Sequence, residues 1–222
     1  MTPSSTRVSK HKILVVDDHP LVREGLRHLV DKELDLEVCG EAEDQGDALR
    51  QAEVTQPDVA VIDISLKSSH GIDLIKEIKR RNKRVRVLVS SMHDESLFAE
   101  RCLRAGAEGY INKEESPAIL ISAIRRVLRG EIYLSPRMTN RILNRVGGVR
   151  TVEHDPIETL TDREVEVFEM FGHGLSAKQI ARRLDLSPKT IESHRVNIKK
   201  KLNLANSSEL VRYATQWVME NG

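Results

Sequence analysis

The first half of the chain alternates short apolar runs with longer amphipathic stretches. The runs have the length of β-strands and are rich in aliphatic and β-branched residues; they cover 12–17, 36–41, 58–63, 85–90 and 108–112. Helical patterns lie between them and begin near Pro20, Asp44, Gly71, Asp94 and Pro117. Parallel neighbouring strands need crossover connections, which cover both faces of the sheet. The pattern therefore predicts an α/β domain at 11–130, built on a five-stranded parallel, doubly wound sheet.

The pattern changes after Gly130. Residues 131–156 mix proline, paired glycines and polar residues, which predicts a linker, with room for one helix from Pro136 to Arg145. Helix-start signals follow at Thr161, Ser176, Ser187 and Asn206, and the first two have the Glu or Gln three residues later that completes a capping box. These signals predict a small all-α domain of four helices at 157–222.

Length and composition agree with two domains. A chain of 222 residues is long for one domain, and 3% aromatic residues predict aliphatic cores. Residues 1–10 are polar and are expected to form a disordered tail; no signal peptide or membrane segment is predicted, so we expect a cytoplasmic protein. Cys39 and Cys102 have no metal-ligand spacing and are interpreted as reduced packing residues.

Candidate chemistry follows the predicted strands, at their carboxyl ends. Asp17 and Asp18 come after the first strand and Asp63 after the third; Ser91 and Lys113 follow the fourth and fifth. Parallel α/β sheets place ligands at this edge. Clustered carboxylates need a hard cation such as Mg²⁺, which prefers oxygen ligands. With that charge neutralised, Asp63 could act as a nucleophile on phosphorus.

On these residues, 12–130 resembles the receiver domains of bacterial two-component systems, which have the flavodoxin-like fold. The resemblance implies Mg²⁺ bound by Asp17, Asp18, Asp63 and the backbone carbonyl of Ser65, with Asp63 as the phosphoacceptor. It also implies that Ser91, Lys113 and Tyr110 form the switch and that a sensor histidine kinase donates the phosphoryl group.

One position departs from that family, and two other functions remain open. Lys67 stands where receivers usually have proline, although Gly71 matches the expected glycine, so the phosphate lifetime is left open. A phosphatase or phosphotransferase of the haloacid dehalogenase type would have an acid where this chain has Ser65. A regulator that works without phosphorylation would use the first domain only for dimerisation or ligand binding. His93 also flanks the predicted site, without an assigned role.

The second domain contains a basic segment. From Lys178 to Lys201, eight basic residues stand against two acidic ones. On a helical wheel of 188–202, Ile191, Ile198 and Leu202 share one face, which predicts the core side. Val196 lies on the opposite face among lysines, where it could contact a thymine methyl group.

The other candidates on this helix divide into two groups. Glu192, Ser193 and Asn197 could hydrogen-bond base edges. The phosphate backbone is the better partner for the basic residues Lys189, Arg195, Lys199 and Lys200.

Residues 157–220 resemble the LuxR-type helix-turn-helix. The matching segments are LTDREVEV (160–167), GLSAKQIA (174–181) and SPKTIESHRVNIKKKL (187–202). Together with the receiver, they identify the chain as similar to NarL/FixJ response regulators. This resemblance implies a phosphorylation-controlled transcriptional regulator rather than an enzyme, which binds double-stranded DNA through the 188–202 helix. A homodimer is expected, because such proteins commonly read paired half-sites.

Overall fold

The computed structural model describes residues 9–66, 69–147 and 156–221. Residues 1–8 of the predicted tail, Lys67, and 148–155 of the predicted linker lie outside the described residues. The chain divides into two compact units. The first unit contains the chain up to Ser91 and Ala105–Tyr133; the second contains Met92–Arg104 and the chain from Leu134 onward.

The first unit contains the predicted parallel sheet. Its strands are β1 (His11–Val16), β2 (Leu36–Ala42), β3 (Val59–Ile62), β6 (Arg86–Ser91) and β7 (Gly109–Asn112). Their order across the sheet is β2-β1-β3-β6-β7, and every pairing is parallel. All four residues of β3 are buried, as expected for a central strand covered on both faces. The sequence pattern places each of these strands to within about a residue.

Helices of this unit begin where the sequence has start signals. They are α1 (Pro20–Asp31), α2 (Gln45–Thr55), α3 (Gly71–Arg81) and α5 (Pro117–Leu128). Asp44 caps α2 by accepting a hydrogen bond from the backbone N–H of Asp47, and proline opens α1 and α5. Residues of β1, β3 and α5 share one aliphatic core, which includes Ile13, Val61 and Ile124.

Two features of this unit differ from the sequence pattern. The segment after Asp63 contains a short antiparallel pair, β4 (Ser65–Leu66) and β5 (Ser69–His70), where a loop was expected. Tyr133, in the predicted linker, forms a parallel bridge to Gly109 and packs against the aliphatic core. The first unit therefore extends three residues past Gly130.

The second unit is helical. Its elements are α4 (Glu95–Ala105), α6 (Pro136–Val146), a 3₁₀ helix (Pro156–Thr159), α7 (Asp162–Gly172), α8 (Ala177–Arg183), α9 (Pro188–Lys201) and α10 (Ser207–Asn221). Both predicted capping boxes are formed, by Thr161 with Glu164 and by Ser176 with Gln179. Helix α6 falls where the linker was expected to hold a helix. Among the described residues, none of the helices combines the length and apolar character needed to cross a membrane.

Candidate functional sites

Two central strands bring the predicted acidic residues together. Asp17 and Asp18 follow β1 and Asp63 follows β3, and these strands are neighbours with Val16 opposite Ile62. The backbone N–H of Asp63 donates to the Val16 carbonyl at 2.9 Å, which fixes the position of the acceptor candidate. Asp17 is 1% exposed and Asp63 is 5% exposed. One ligand atom from each of Asp17, Asp18, His19 and Asp63 lies within 4.8 Å of the others.

Lys113 joins this cluster from the end of β7. Its Nζ lies 2.6 Å from Asp17 Oδ2 and 2.6 Å from Asp63 Oδ2. Its backbone N–H donates to the Ser91 carbonyl at 2.9 Å, so the two predicted switch residues are adjacent in the sheet edge. Burial disfavours charge on Lys113, but the two carboxylates outweigh it and raise the pKa of the ammonium group. Lys113 is therefore a permanent positive charge in the site.

The acidic cluster fits a magnesium ion by two observations. Three carboxylates against one ammonium leave a formal charge of −2, which a divalent cation would balance. Asp18 Oδ1 is buried without a hydrogen bond from any described residue, although His19 Nδ1 lies at an ion-pair distance of 2.6 Å. An oxygen of this kind is a ready ligand for a hard cation. His19 is an exposed neighbour of the site that the sequence pattern did not single out, although it directly follows the acidic pair.

Of the remaining receiver candidates, Ser91 and Ser65 lie near the same edge of the sheet, and Tyr110 lies within its last strand. Ser91 ends β6 and is fully buried. Tyr110 lies in β7 opposite Val89 and is 1% exposed. Ser65 begins the short strand β4, two residues after Asp63. The roles of these three residues in switching and metal binding stay predictions.

Gly71 has a specific packing role beside the acceptor candidate. A Cβ atom at this position would lie 2.2 Å from the Asp63 carbonyl oxygen and 2.7 Å from Ile64 Cα. The Gly71 backbone N–H also donates to the Ile64 carbonyl at 2.7 Å. Only glycine allows α3 to begin this close to the chain that carries Asp63.

Helix α9 separates a buried face from an exposed one, as the helical wheel predicts. Ile191 and Ile198 are fully buried, whereas Val196 is 57% exposed. Leu202 is the C-cap of α9 and is half-buried. Ser187 caps the start of the helix by accepting from the Thr190 N–H at 3.0 Å.

The exposed face of α9 carries most of the predicted DNA contacts. Lys189, Ser193, Val196, Asn197 and Lys200 are exposed, and Glu192, Arg195 and Lys199 are half-buried. Glu192 forms an ion pair with Arg195 one turn further along, so neither group is isolated. The Ser193 hydroxyl donates to the Lys189 carbonyl at 3.1 Å and still presents an acceptor oxygen to solvent. The face thus combines positive charge, hydrogen-bonding groups and one apolar side chain.

Comparisons with known proteins agree with both halves of this description. The family model of the response regulator receiver domain matches residues 13–125. The model of the bacterial regulatory proteins of the luxR family matches residues 158–214. The chain is 36% identical over 208 residues to the oxygen regulatory protein NreC of Staphylococcus carnosus, which covers 91% of this chain and 96% of that protein.

Two further similarities involve another curated relative and a solved structure. The nitrate/nitrite response regulator protein NarP of Escherichia coli is 33% identical over 193 residues, with 87% of this chain and 89% of NarP covered. The structure of RcsB from Salmonella enterica serovar Typhimurium bound to promoter rprA has a TM-score of 0.62 and 26% identity, and the match covers 93% of this chain and 99% of that one.

The parallel sheet with its acidic edge and the capped helix pair define a receiver domain joined to a helix-turn-helix DNA-binding domain. The chain belongs to the NarL/FixJ family of two-component response regulators. It is accordingly a DNA-binding transcriptional regulator under phosphorylation control, in a family whose members are not enzymes.

Proposed function

We propose that Asp63 is the phosphoacceptor and that a sensor histidine kinase is the donor. A carboxylate oxygen of Asp63 would attack the phosphorus of a phosphohistidine, the P–N bond would break, and the imidazole would leave with a proton. Lys113, already 2.6 Å from Asp63 Oδ2, would pair with the transferred phosphoryl oxygens. The observation that carries this proposal is the convergence of Asp17, Asp63 and Lys113 in one buried cluster.

Magnesium is the proposed cofactor of this step. Asp17, Asp18, Asp63 and the backbone carbonyl of Ser65 would hold it. When bound, Mg²⁺ supplies positive charge against the transferring phosphoryl group. Asp17 and Lys113 are already hydrogen-bonded to each other, so they hold the site in shape.

The proposed switch uses residues beside the acceptor. Ser91 would move its hydroxyl toward the phosphoryl oxygens, and Tyr110 would change its rotamer in response. Such a switch works by shifting a population between two arrangements that are close in energy. The burial of both residues supports this proposal, because a hydroxyl or ring moving in a packed site must displace its neighbours.

The proposed output is binding to double-stranded promoter DNA as a homodimer. Helix α9 would enter the major groove, with Ser193, Val196, Asn197 and Glu192 toward base edges. The basic residues Lys189, Arg195, Lys199 and Lys200 would contact phosphates. Paired half-sites would require two copies of the chain. We place the protein in the cytoplasm, where the kinase domains and the DNA are accessible.

Intact-mass measurement tests the acceptor assignment. The wild-type protein, Asp63→Ala and the control Asp73→Ala are incubated with a small-molecule phosphodonor and Mg²⁺; Asp73 is an exposed residue of α3. We expect one added phosphoryl group in the wild type and the control and none in Asp63→Ala. Equal mass gain in Asp63→Ala would refute the assignment. No gain in any protein would favour a regulator that works without phosphorylation, and rapid turnover of the donor would favour a phosphatase.

A further inference from the structure

Helix α7 buries three carboxylate side chains. Glu164, Glu166 and Glu169 are 3%, 0% and 3% exposed. Charged residues are seldom buried this deeply unless cations or hydrogen bonds compensate them. Glu164 is explained by the capping box at the start of α7, but Glu166 and Glu169 lie in the middle of the helix.

His93 compensates both of these central carboxylates. Its Nδ1 is hydrogen-bonded to Glu169 Oε2, and its Nε2 lies 3.5 Å from Glu166 Oε1. The Asp94 backbone N–H donates to Glu169 Oε1 at 2.7 Å, and Arg163 Nη1 donates to Glu166 Oε2 at 2.6 Å. Glu166 and Glu169, which are about one helical turn apart, therefore bind His93 and the Asp94 backbone just before α4.

Arg101 makes a second attachment from α4. Its Nη1 donates to the Leu160 carbonyl at 2.9 Å and to Asp162 Oδ1 at 3.1 Å, and its Nη2 donates to the Ile157 carbonyl at 2.9 Å. These acceptors lie on the 3₁₀ helix and at the start of α7. Two attachments, at His93 and Arg101, restrain rotation of α7 against α4 in a way that one contact would not.

The other side of α7 is tied to the proposed DNA-binding helix. Glu164 Oε2 accepts from Lys201 Nζ at 2.6 Å, and Lys201 is the last residue of α9. Val196 and the rest of the exposed face of α9 are accessible while these contacts are made. The contact between α7 and α9 therefore leaves the proposed DNA-binding face of α9 uncovered.

We propose that His93 and Arg101 are positioning residues that couple the receiver site to the DNA-binding helix. The inference rests on the proposed function, because it takes Ser91 as the residue that moves on phosphorylation. His93 follows Ser91 by two residues, so a displacement at the end of β6 is transmitted along the chain to His93. Glu166 and Glu169 would transmit this displacement to α7, and the contact of Glu164 with Lys201 would transmit it from α7 to α9.

The test compares DNA affinity with and without a phosphodonor. Glu169→Gln removes the charge that faces His93 but keeps an acceptor for the Asp94 N–H, and His93→Gln disrupts the same contact from the other side. Glu77→Gln, whose carboxylate pairs with Arg80 and Arg81 on α3, is the matched control. Fluorescence of Trp217, the single tryptophan, checks that each variant is folded. Mass spectra of the same samples report the degree of phosphorylation.

We expect the phosphodonor to change the Kd of the wild type and the control by roughly 5- to 150-fold, the usual size of allosteric coupling. We expect Glu169→Gln and His93→Gln to be fully phosphorylated. For each variant, the Kd measured with the phosphodonor should lie within about twofold of the Kd measured without it. A phosphorylated Glu169→Gln that keeps the wild-type ratio would refute the coupling role alone. A wild-type protein without mass gain would refute the acceptor assignment and the coupling with it.

A second measurement uses only the wild-type protein, so it does not depend on the folding of a variant. The Asp94 amide, bonded to Glu169, should exchange with solvent deuterium far more slowly than an unstructured amide. Exchange at the unstructured rate would show that the contact is not made in solution and would overturn the proposal.

Discussion

The stability of the helical unit should depend on pH through His93. Burial disfavours the charged imidazole, but Glu166 and Glu169 outweigh it and raise the pKa of His93 to about 10, from 6.5. Folding therefore takes up a proton at pH values between 6.5 and about 10, where His93 is neutral in the unfolded chain and protonated in the folded one. The stabilisation is fully present below pH 6.5 and is lost as the pH rises through 10.

The pKa difference sets the size of this effect. At about 1.4 kcal/mol per pH unit, the two pKa values correspond to about 5 kcal/mol of stabilisation at low pH. Between pH 7 and pH 9, the same linkage predicts a loss of roughly 2–3 kcal/mol. Little reduction for solvent screening is needed, because His93 is only 9% exposed.

Urea unfolding, followed by Trp217 fluorescence, measures this loss. Trp217 is the single tryptophan and is 7% exposed in α10, so its signal reports the helical unit. The free energy of unfolding is compared at pH 7, 8 and 9 for the wild type, His93→Gln and the control His173→Gln, which changes an exposed histidine at the end of α7. We expect the steep pH dependence in the wild type and the control only.

The comparison with His93→Gln removes the contributions of titrating groups that do not contact His93, because the variant retains them unchanged. If the unfolding free energies of the wild type and His93→Gln fall in parallel from pH 7 to pH 9, the imidazole is not held protonated. The inferred ion pairs of Glu166 and Glu169 with a protonated His93 would then be wrong.

Three further changes test other parts of the structure. Gly71→Ala should lower stability by about 1–3 kcal/mol through overpacking against the Asp63 backbone, measured by thermal unfolding, and should slow the mass gain from a phosphodonor. Lys200→Ala should weaken binding to all DNA sequences and flatten the salt dependence of Kd, whereas Val196→Ala should change the sequence preference in a random-sequence selection. If neither substitution affects DNA binding, the assignment of α9 as the DNA-binding helix is wrong. Burial raises the pKa of Glu164, but the hydrogen bonds from Lys201 and Thr161 outweigh it and lower the pKa. Glu164→Gln should therefore cost about 1 kcal/mol near pH 7, and the loss should shrink on acidification; a pH-independent loss would argue against the ion pair.

Local sequence signals predicted most of the fold. Hydrophobic runs placed the strands because a strand buried on both faces needs continuous apolar residues, and hydroxyl caps placed α7, α8 and α9 because a helix start leaves unpaired amides. The pair β4 and β5 was missed. Strands of two residues are too short to show a periodic pattern.

The candidate site was predictable for a topological reason. Parallel strands end at one edge, so the strand order alone predicts that Asp17, Asp63 and Lys113 lie together, and the distances confirm it. The contact of His93 with Glu169 has no such basis, because the two residues are 76 positions apart and no rule of sheet order joins them. Glu166 and Glu169 read in the sequence as ordinary solvated residues of a helix.

Charge balance distinguishes two buried acidic clusters among the described residues. At Glu166 and Glu169, a protonated His93 and Arg163 bring the formal charge to zero, so the cluster is complete without a ligand. At Asp17, Asp18 and Asp63, Lys113 leaves a deficit of two positive charges, and Asp18 Oδ1 receives no hydrogen bond from the part of the chain that the structure describes. The first cluster can only hold protein segments together, whereas the second gains stability from a cation and has a nucleophile beside it. The uncompensated charge, more than the burial of the carboxylates, therefore marks Asp63 as the chemical site.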